Sequence, residues 1–113
     1  MIVGVGLDVV SVERIARAMR NPRFVRRVLT EAERRVCRTP ECVAGRWAAK
    51  EAIAKALRFA MSWQDVEILP GPAGAPTARI EHPGFDQSSC RVHLSITHER
   101  GHAAAVAVVE SGA

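Results

Sequence analysis

Three residues can act together on a phosphoryl group if the fold brings them together: Asp8, Glu51 and Lys55. Two carboxylates are a typical protein share of a magnesium site, whose other ligands are usually waters and substrate phosphates. A lysine beside such a site stabilises the negative charge of a transferring phosphate. Glu51 and Lys55 are four residues apart, so they lie on one side of any helix that contains both.

Each of these residues also has an ordinary structural interpretation. Asp8 follows the apolar run 2–7, which predicts a buried strand, and an aspartate there can form a turn before Ser11. Glu51 and Lys55 can form a surface ion pair worth about 0.3–0.5 kcal/mol. Local sequence favours these structural roles, and spacing alone does not decide between the two interpretations.

Apolar periodicity and capping residues predict the helices that must position these side chains. The predicted elements are a helix capped by Ser11 and stopped by Asn21-Pro22, a helical turn at 24–29, a helix opened by a Thr30/Glu33 capping box and ended by Thr39-Pro40, and a helix at about 41–58. The last helix is rich in strong helix formers and carries both Glu51 and Lys55.

The second half of the chain is predicted to be mainly strands. Short β-type runs at 65–69, 77–80, 91–97 and 103–109 are separated by turn-rich segments. One strand, then helices, then several strands predict an α+β fold in which the helices pack on one side of a small antiparallel sheet. The length fits a single domain over residues 1–113.

Composition excludes several classes of protein. No apolar run reaches the ~20 residues of a membrane span, and the opening residues lack the pattern of a signal peptide. The three cysteines, Cys37, Cys42 and Cys90, argue by their odd number against a disulfide framework, and no Cys/His knuckle completes a zinc site. We therefore expect reduced, mostly buried thiols and a cytoplasmic protein.

Basic residues are concentrated near the N-terminus. The net charge is +4, and nine of the 16 basic residues fall between Arg14 and Arg38. Such a segment attracts an acidic partner. A nucleic acid is an alternative partner, but Phe24 is the only aromatic residue of that segment, so base stacking is not indicated. A solvated basic face is equally compatible with this composition.

Three segments taken together indicate a function more specifically than any single pattern does. They are V-G-V-G-L-D at 3–8, G-R-W-A-A-K-E-A-I-A-K-A-L at 45–57, and L-S-I-T-H at 94–98. In this order, and in a chain of this length, the set resembles the holo-(acyl-carrier-protein) synthases, the short bacterial type of 4′-phosphopantetheinyl transferase. The likeness runs essentially from end to end, and the central segment is its specific part.

The resemblance implies an activity and a site. The family transfers 4′-phosphopantetheine from coenzyme A to a serine of an acidic acyl carrier protein, releases adenosine 3′,5′-bisphosphate and uses Mg²⁺. Asp8 and Glu51 match the metal ligands. Lys55 matches the lysine that contacts the phosphates and protonates the leaving group. Glu51, or a water on the metal, takes the proton of the serine.

The resemblance also assigns the two substrates and the assembly. Arg46, Thr97 and His98 match positions near the phosphates of coenzyme A. The basic helix matches the one that docks on the carrier protein, which involves Arg14, Arg17 and Arg20. Family members are commonly homotrimers whose active sites lie between subunits. We expect neither a nucleic acid nor a membrane as a partner of this chain.

The chain departs from the family pattern at the coenzyme end. Residues 58–63, R-F-A-M-S-W, stand where the family has a glycine-rich loop, and Phe59 and Trp63 do not supply the left-handed backbone that glycine does. Ala75 replaces a lysine in the usual G-K-P turn, and Glu99 adds a carboxylate beside the L-S-I-T-H segment. A carrier-binding homologue with weak or altered coenzyme A turnover is therefore the alternative function.

Overall fold

A computed structural model describes residues 1–112 as two antiparallel sheets and four α-helices. The larger sheet has three strands in the order β1-β5-β4, and β2 pairs with β3 in a separate hairpin. In chain order the elements are β1 (Ile2–Ser11), α1 (Val12–Ala18), α2 (Pro22–Val28), α3 (Glu31–Val36), α4 (Pro40–Leu57), β2 (Val66–Pro70), β3 (Pro76–Ile80), β4 (Cys90–Glu99) and β5 (His102–Ser111).

Helix α4 forms the centre of the molecule, and its sequence accounts for both of its ends. Thr39 caps its start by accepting a hydrogen bond from the Cys42 amide, and Pro40 occupies the first turn, where no amide donor is needed. Its buried side is made of small residues, mainly alanine. The helix ends at Arg58, which adopts the left-handed conformation with φ 63° and ψ 23°.

Two glycines allow α4 to lie directly on β1. A methyl group added at Gly4 would overlap the carbonyl oxygen of Ala56, and one added at Gly6 would overlap the carbonyl oxygen of Ala52. Side chains alternate along a strand, so Asp8 projects to the same side of β1 as both glycines. The close approach of the two backbones therefore brings Asp8 against α4.

A buried ion pair fixes α4 on its other side. Lys50 Nζ lies 2.7 Å from Glu33 Oε1 and also donates to the carbonyl oxygens of Val28, at 2.8 Å, and Trp63, at 3.0 Å. Glu33 is fully buried and Lys50 is 3% exposed. Burial lowers the pKa of Lys50, and the Glu33 carboxylate opposes that shift.

The second carboxylate oxygen of Glu33 accepts a hydrogen bond from the backbone amide of Ile68 at 2.9 Å, so the ion pair is also bonded to β2. The hydrogen bonds of the pair join α2, α3, α4, β2 and the segment before β2, and they leave neither buried charge without a partner.

The predicted α+β class is confirmed, and α4 and the Thr30/Glu33 capping box form as expected. Two predicted boundaries are wrong. Strand β1 continues through Asp8 to Ser11, because β5 supplies pairing partners along that whole length. Helix α3 ends at Val36 rather than at Thr39-Pro40, since Cys37 already has extended backbone.

The expectation of three reduced cysteines is also wrong. Cys37 and Cys42 form a disulfide, and Cys90 is free. The Thr39-Pro40 turn reverses the chain between α3 and α4 and brings the Cα atoms of the pair to 5.5 Å, within the normal range for a disulfide. Within residues 1–112, the helices are too short or too polar to cross a membrane.

Replacing Gly6 with alanine should push α4 away from β1, because the added methyl group overlaps the Ala52 carbonyl oxygen. We expect the free energy of unfolding, measured with denaturant, to fall by about 3 kcal/mol. Gly45→Ala is the matched control: its methyl group meets side-chain atoms of His98 and Ile96 at 3.1 Å, and these can move, so the loss should be smaller. Unchanged stability of Gly6→Ala would contradict this packing.

Candidate active site

Asp8 and Lys55 meet where β1 crosses α4. Lys55 Nζ lies 3.2 Å from Asp8 Oδ1 and donates a second hydrogen bond to the Leu7 carbonyl oxygen at 2.9 Å. The Asp8 side chain is 15% exposed and the Lys55 side chain is 55% exposed. A surface ion pair between Lys55 and Glu51 is absent from residues 1–112, because the lysine reaches β1 instead.

Glu51 lies on the same stretch of α4. Gly4 lies against Ala56, and Gly6 lies against Ala52. Two residues of β1, which span ~6.8 Å, therefore cover about the same distance as four residues of α4, which span ~6 Å. A further step of this size places Asp8 alongside the helical turn that ends at Glu51. Glu51 is half-buried.

This donor set fits a magnesium ion better than a metal held entirely by protein. The structure brings Asp8 and Lys55 into contact and places Glu51 one helical turn before that lysine. Residues 1–112 contain no group of three His, Cys, Asp or Glu side chains arranged to hold a metal. Magnesium is commonly bound by one or two carboxylates and completed by waters and substrate phosphates.

Arg46 and His98 line a cavity of about 360 Å³ between the start of α4, the β2–β3 hairpin and the end of β4. The Nε2–H of His98 donates to the Glu41 carbonyl oxygen at 2.9 Å, which leaves Nδ1 as the free ring nitrogen. Gly45 faces both His98 and Ile96 from α4. A larger cavity, about 580 Å³, lies at the opposite end of the sheet near Met1 and contains none of the predicted site residues.

The guanidinium of Arg46 has spare hydrogen-bonding capacity inside this region. Its Nη1 donates to Cys42 Sγ at 3.1 Å, but its buried Nε has no partner among residues 1–112. Burial lowers the pKa of Arg46, and the Glu33 carboxylate partly restores it. Because this cationic side chain lines the cavity, the cavity is suited to an anionic ligand.

The carboxylate end and the cavity lie on one face of the sheet. Asp8 and Ile96 both pair with Ala105 of β5, and His98 is two residues beyond Ile96. Asp8 and His98 are therefore separated by two strand spacings across the sheet and by two residues along the strand, which places their Cα atoms ~12 Å apart. Thr97 is exposed on the other face of β4, so the structure does not bring it to the cavity.

The three arginines predicted to dock a carrier protein are exposed around α1. Arg14 and Arg17 are on the helix, and Arg20 follows its end. The Arg14 guanidinium lies over the Trp47 ring, 5.6 Å from its centroid. Trp47 is one turn before Glu51 on α4, so this contact links the basic surface to the carboxylate end of the site.

Sequence reasoning missed the partners of Trp47. Its ring lies 4.4 Å from that of Trp63 and 5.7 Å from that of Phe24, centroid to centroid, so helices α2 and α4 and the segment before β2 share one aromatic cluster. It also missed Lys50, which adjoins Glu51 in sequence but points into the core. Trp47 and Trp63 are evident in the sequence as large apolar residues, but no local sequence pattern predicts that their rings pack together.

Residues 58–63 contain one left-handed residue, although they lack glycine. Phe59 and Trp63 do not adopt left-handed backbone, as expected, but Arg58 does, and its amide donates to the Ala54 carbonyl oxygen at 2.9 Å. An L-residue in that conformation costs about 1–2 kcal/mol. The ring of Phe59 stacks on His82 at 4.4 Å, which ties this segment to the loop after β3.

Known proteins match the chain in sequence and in structure. A family model described as the 4′-phosphopantetheinyl transferase superfamily covers residues 4–107. The holo-[acyl-carrier-protein] synthase of Salinispora arenicola is 45% identical, over 97% of this chain and 99% of that protein. Two solved structures superpose on this chain, each with a TM-score of 0.86. The holo-[acyl-carrier-protein] synthase of Helicobacter pylori in complex with coenzyme A is 32% identical, over 94% of this chain and 99% of that protein. The synthase of Bacillus anthracis in complex with CoA (3′,5′-ADP) is 37% identical, over 99% of both chains. With its carboxylate–lysine cluster and anion cavity on one face of the sheet, the chain belongs to the holo-[acyl-carrier-protein] synthase family of the 4′-phosphopantetheinyl transferases.

Proposed function

We propose that this protein transfers 4′-phosphopantetheine from coenzyme A to a serine of an apo acyl carrier protein and releases adenosine 3′,5′-bisphosphate. The observation that carries the proposal is the contact between Lys55 and Asp8 beside Glu51 on α4, in a chain of this family. The reaction draws on coenzyme A and serves fatty-acid or polyketide synthesis, so we place the protein in the cytoplasm.

Each residue of the carboxylate end has a role in this reaction. Asp8 and Glu51 would hold Mg²⁺, which would supply positive charge to the pyrophosphate of the donor. Glu51 accepts the proton of the carrier serine, whose oxygen attacks the β-phosphorus. Lys55 steadies the bridging oxygen and gives it a proton as the bond to that oxygen breaks. Its second bond, to the Leu7 carbonyl oxygen, fixes the direction of the ammonium group.

The cavity end binds the rest of the donor. Arg46 contributes its half-buried guanidinium to the phosphates, and the ring of His98 lines the same cavity. Thr97 remains a predicted contact on the open face of the sheet. The presence of Asp8, Glu51 and Lys55, with Asp8 in contact with Lys55, favours an active transferase over a carrier-binding homologue.

Asp8→Asn and Glu51→Gln should each lower transfer to apo carrier protein at least about 100-fold, since each removes a charge at the transferring phosphate. The measurement is the mass of the carrier after incubation with coenzyme A and magnesium. Glu31→Gln, an exposed carboxylate on α3, is the matched control and should keep full activity. Circular dichroism reports whether each variant is folded.

The outcomes separate the alternatives. Near-full activity in either site variant would refute the metal site. A wild-type protein that binds the carrier without adding mass to it would support the carrier-binding homologue instead. Binding to duplex DNA with a steep salt dependence, and none to the carrier, would favour a nucleic-acid-binding protein.

We infer that the exposed arginines of α1 dock the acidic carrier. Arg14 is the central one, because its position over Trp47 connects the docking surface to Glu51. Arg17 pairs only loosely with Glu13, at 3.9 Å with both side chains exposed, so it is free to meet a partner's carboxylate.

Arg14→Gln should therefore raise the KM for the carrier about tenfold while leaving the KM for coenzyme A nearly unchanged, because it removes a docking charge and its aromatic contact. Arg79→Gln, on the β2–β3 hairpin, is the matched loss of one arginine and should change neither value. Equal effects of Arg14→Gln on both substrates would refute the docking role.

We also propose that the chain assembles as a homotrimer through the open face of its larger sheet. Val5, Leu7 and Val9 of β1 project from that face and are 59%, 64% and 64% exposed. A contiguous apolar face of this kind is unusual on a monomer and indicates a partner surface. In a trimer this face, with Thr97 on it, adjoins a neighbouring copy.

Leu7→Asp should convert the trimer to monomers, because three buried carboxylates would be brought near one another. Native mass spectrometry reports the assembly. Val36→Asp is the control, since Val36 is a similarly exposed apolar residue on α3, away from the sheet. A Leu7→Asp protein that stays trimeric would show that the interface lies elsewhere.

A further inference from the structure

A disulfide borders the cavity that contains Arg46. Cys37 ends α3 and is 1% exposed, while Cys42 is in the first turn of α4 and is half-buried. Cys42 also lines the cavity. Only five positions separate the two cysteines, so the bond closes the short α3–α4 connection.

Cys42 stands in a setting that favours a thiolate. Its sulfur is 3.1 Å from Arg46 Nη1 and lies in the first turn of an 18-residue helix. A nearby guanidinium and a helix N-terminus both stabilise the negative charge on sulfur. Cys90, the third cysteine, sits at the start of β4 and belongs to a different cavity.

We propose that Cys37 and Cys42 are a reversible redox pair that sets the affinity of the cavity for the coenzyme's phosphates through Arg46. This inference rests on the proposed function, which makes Arg46 a phosphate contact. A disulfide in a cytoplasmic protein is typically transient and redox-sensing rather than permanent. Cys42, being half-buried, is the sulfur that an external thiol reaches.

The chemistry is thiol–disulfide exchange. The thiolate of a small dithiol attacks Cys42 Sγ, the bond between the two sulfurs breaks, and Cys37 leaves and takes up a proton. The second thiol of the reductant then attacks the mixed disulfide and releases Cys42. The reductant becomes a cyclic disulfide and the protein gains two electrons. A small-molecule disulfide reverses both steps.

The redox state changes what Arg46 faces. In the disulfide, Cys42 sulfur is neutral and accepts only weakly from Nη1, so the guanidinium is free to bind phosphate. In the reduced protein, a Cys42 thiolate pairs with the guanidinium and competes with the phosphate for it. Reduction should therefore weaken binding of the coenzyme's phosphates.

The test is calorimetric binding of adenosine 3′,5′-bisphosphate with magnesium, to oxidised protein and to protein reduced with dithiothreitol. This probe replaces coenzyme A, whose own thiol would exchange with the disulfide. We expect the reduced protein to bind about three- to tenfold more weakly. Alkylation followed by mass measurement should count one free thiol in the oxidised protein and three in the reduced protein.

Three variants sharpen the result. Cys42→Ser removes the thiolate, so it should bind tightly with or without reductant. Cys37→Ser leaves Cys42 without a disulfide partner and therefore able to form the thiolate, so this variant should bind weakly in both conditions. Cys90→Ser, the matched loss of one cysteine, should respond to reductant as the wild type does. If Cys37→Ser does not fold, the comparison of Cys42→Ser with the wild type still tests the inference.

Two results would overturn the inference alone: equal binding in both redox states, or three free thiols in protein treated with a disulfide oxidant. Binding in neither state would overturn the proposed coenzyme chemistry together with its redox control. If the Cys42→Ser variant still loses affinity for adenosine 3′,5′-bisphosphate on reduction, the contact between Cys42 and Arg46 cannot be what links the redox state to binding.

Discussion

The contact between β1 and α4 positions the carboxylate end of the site, and it depends on the absence of two side chains. Gly4 and Gly6 leave room for the carbonyl oxygens of Ala56 and Ala52, so strand and helix lie with their backbones in contact. Asp8, on the same side of the strand, is then held within reach of Lys55. Any larger residue at either glycine would separate the strand carboxylate from the helix that carries its partners.

Helix α4 also joins the two ends of the site. Arg46, Glu51 and Lys55 lie on this one helix, so their spacing is fixed by helical geometry rather than by loops. The Lys50–Glu33 pair holds the helix from the core side and fixes the Trp63 carbonyl oxygen. The aromatic cluster of Phe24, Trp47 and Trp63 contacts the same helix through Trp47, which lies under Arg14 and one turn before Glu51.

Much of this arrangement was predictable from sequence, because caps and apolar periodicity act locally. The Thr30/Glu33 capping box, the alanine-rich helix α4 and the strand at the N-terminus all follow from neighbouring residues. The contact between Asp8 and Lys55 was not, since the two residues are 47 positions apart, and only the likeness of three segments to a known family suggested that they share a site.

The features that sequence reasoning missed depend on tertiary contacts. The Cys37–Cys42 bond needs the turn between two helices, and the left-handed Arg58 needs a helix end where the chain must reverse. Thr97 and His98 are neighbours in sequence, yet the pleat of β4 sends them to opposite faces.

The proposed chemistry requires that Asp8 and Glu51 converge on one divalent ion. The most direct measurement is a crystal structure with coenzyme A and Mn²⁺, in which anomalous scattering locates the ion. We predict one anomalous peak within about 2.5 Å of an oxygen of each carboxylate and beside a phosphate of the coenzyme. A peak that touches only one of the two side chains, or that lies away from α4, would show that the two carboxylates do not share an ion.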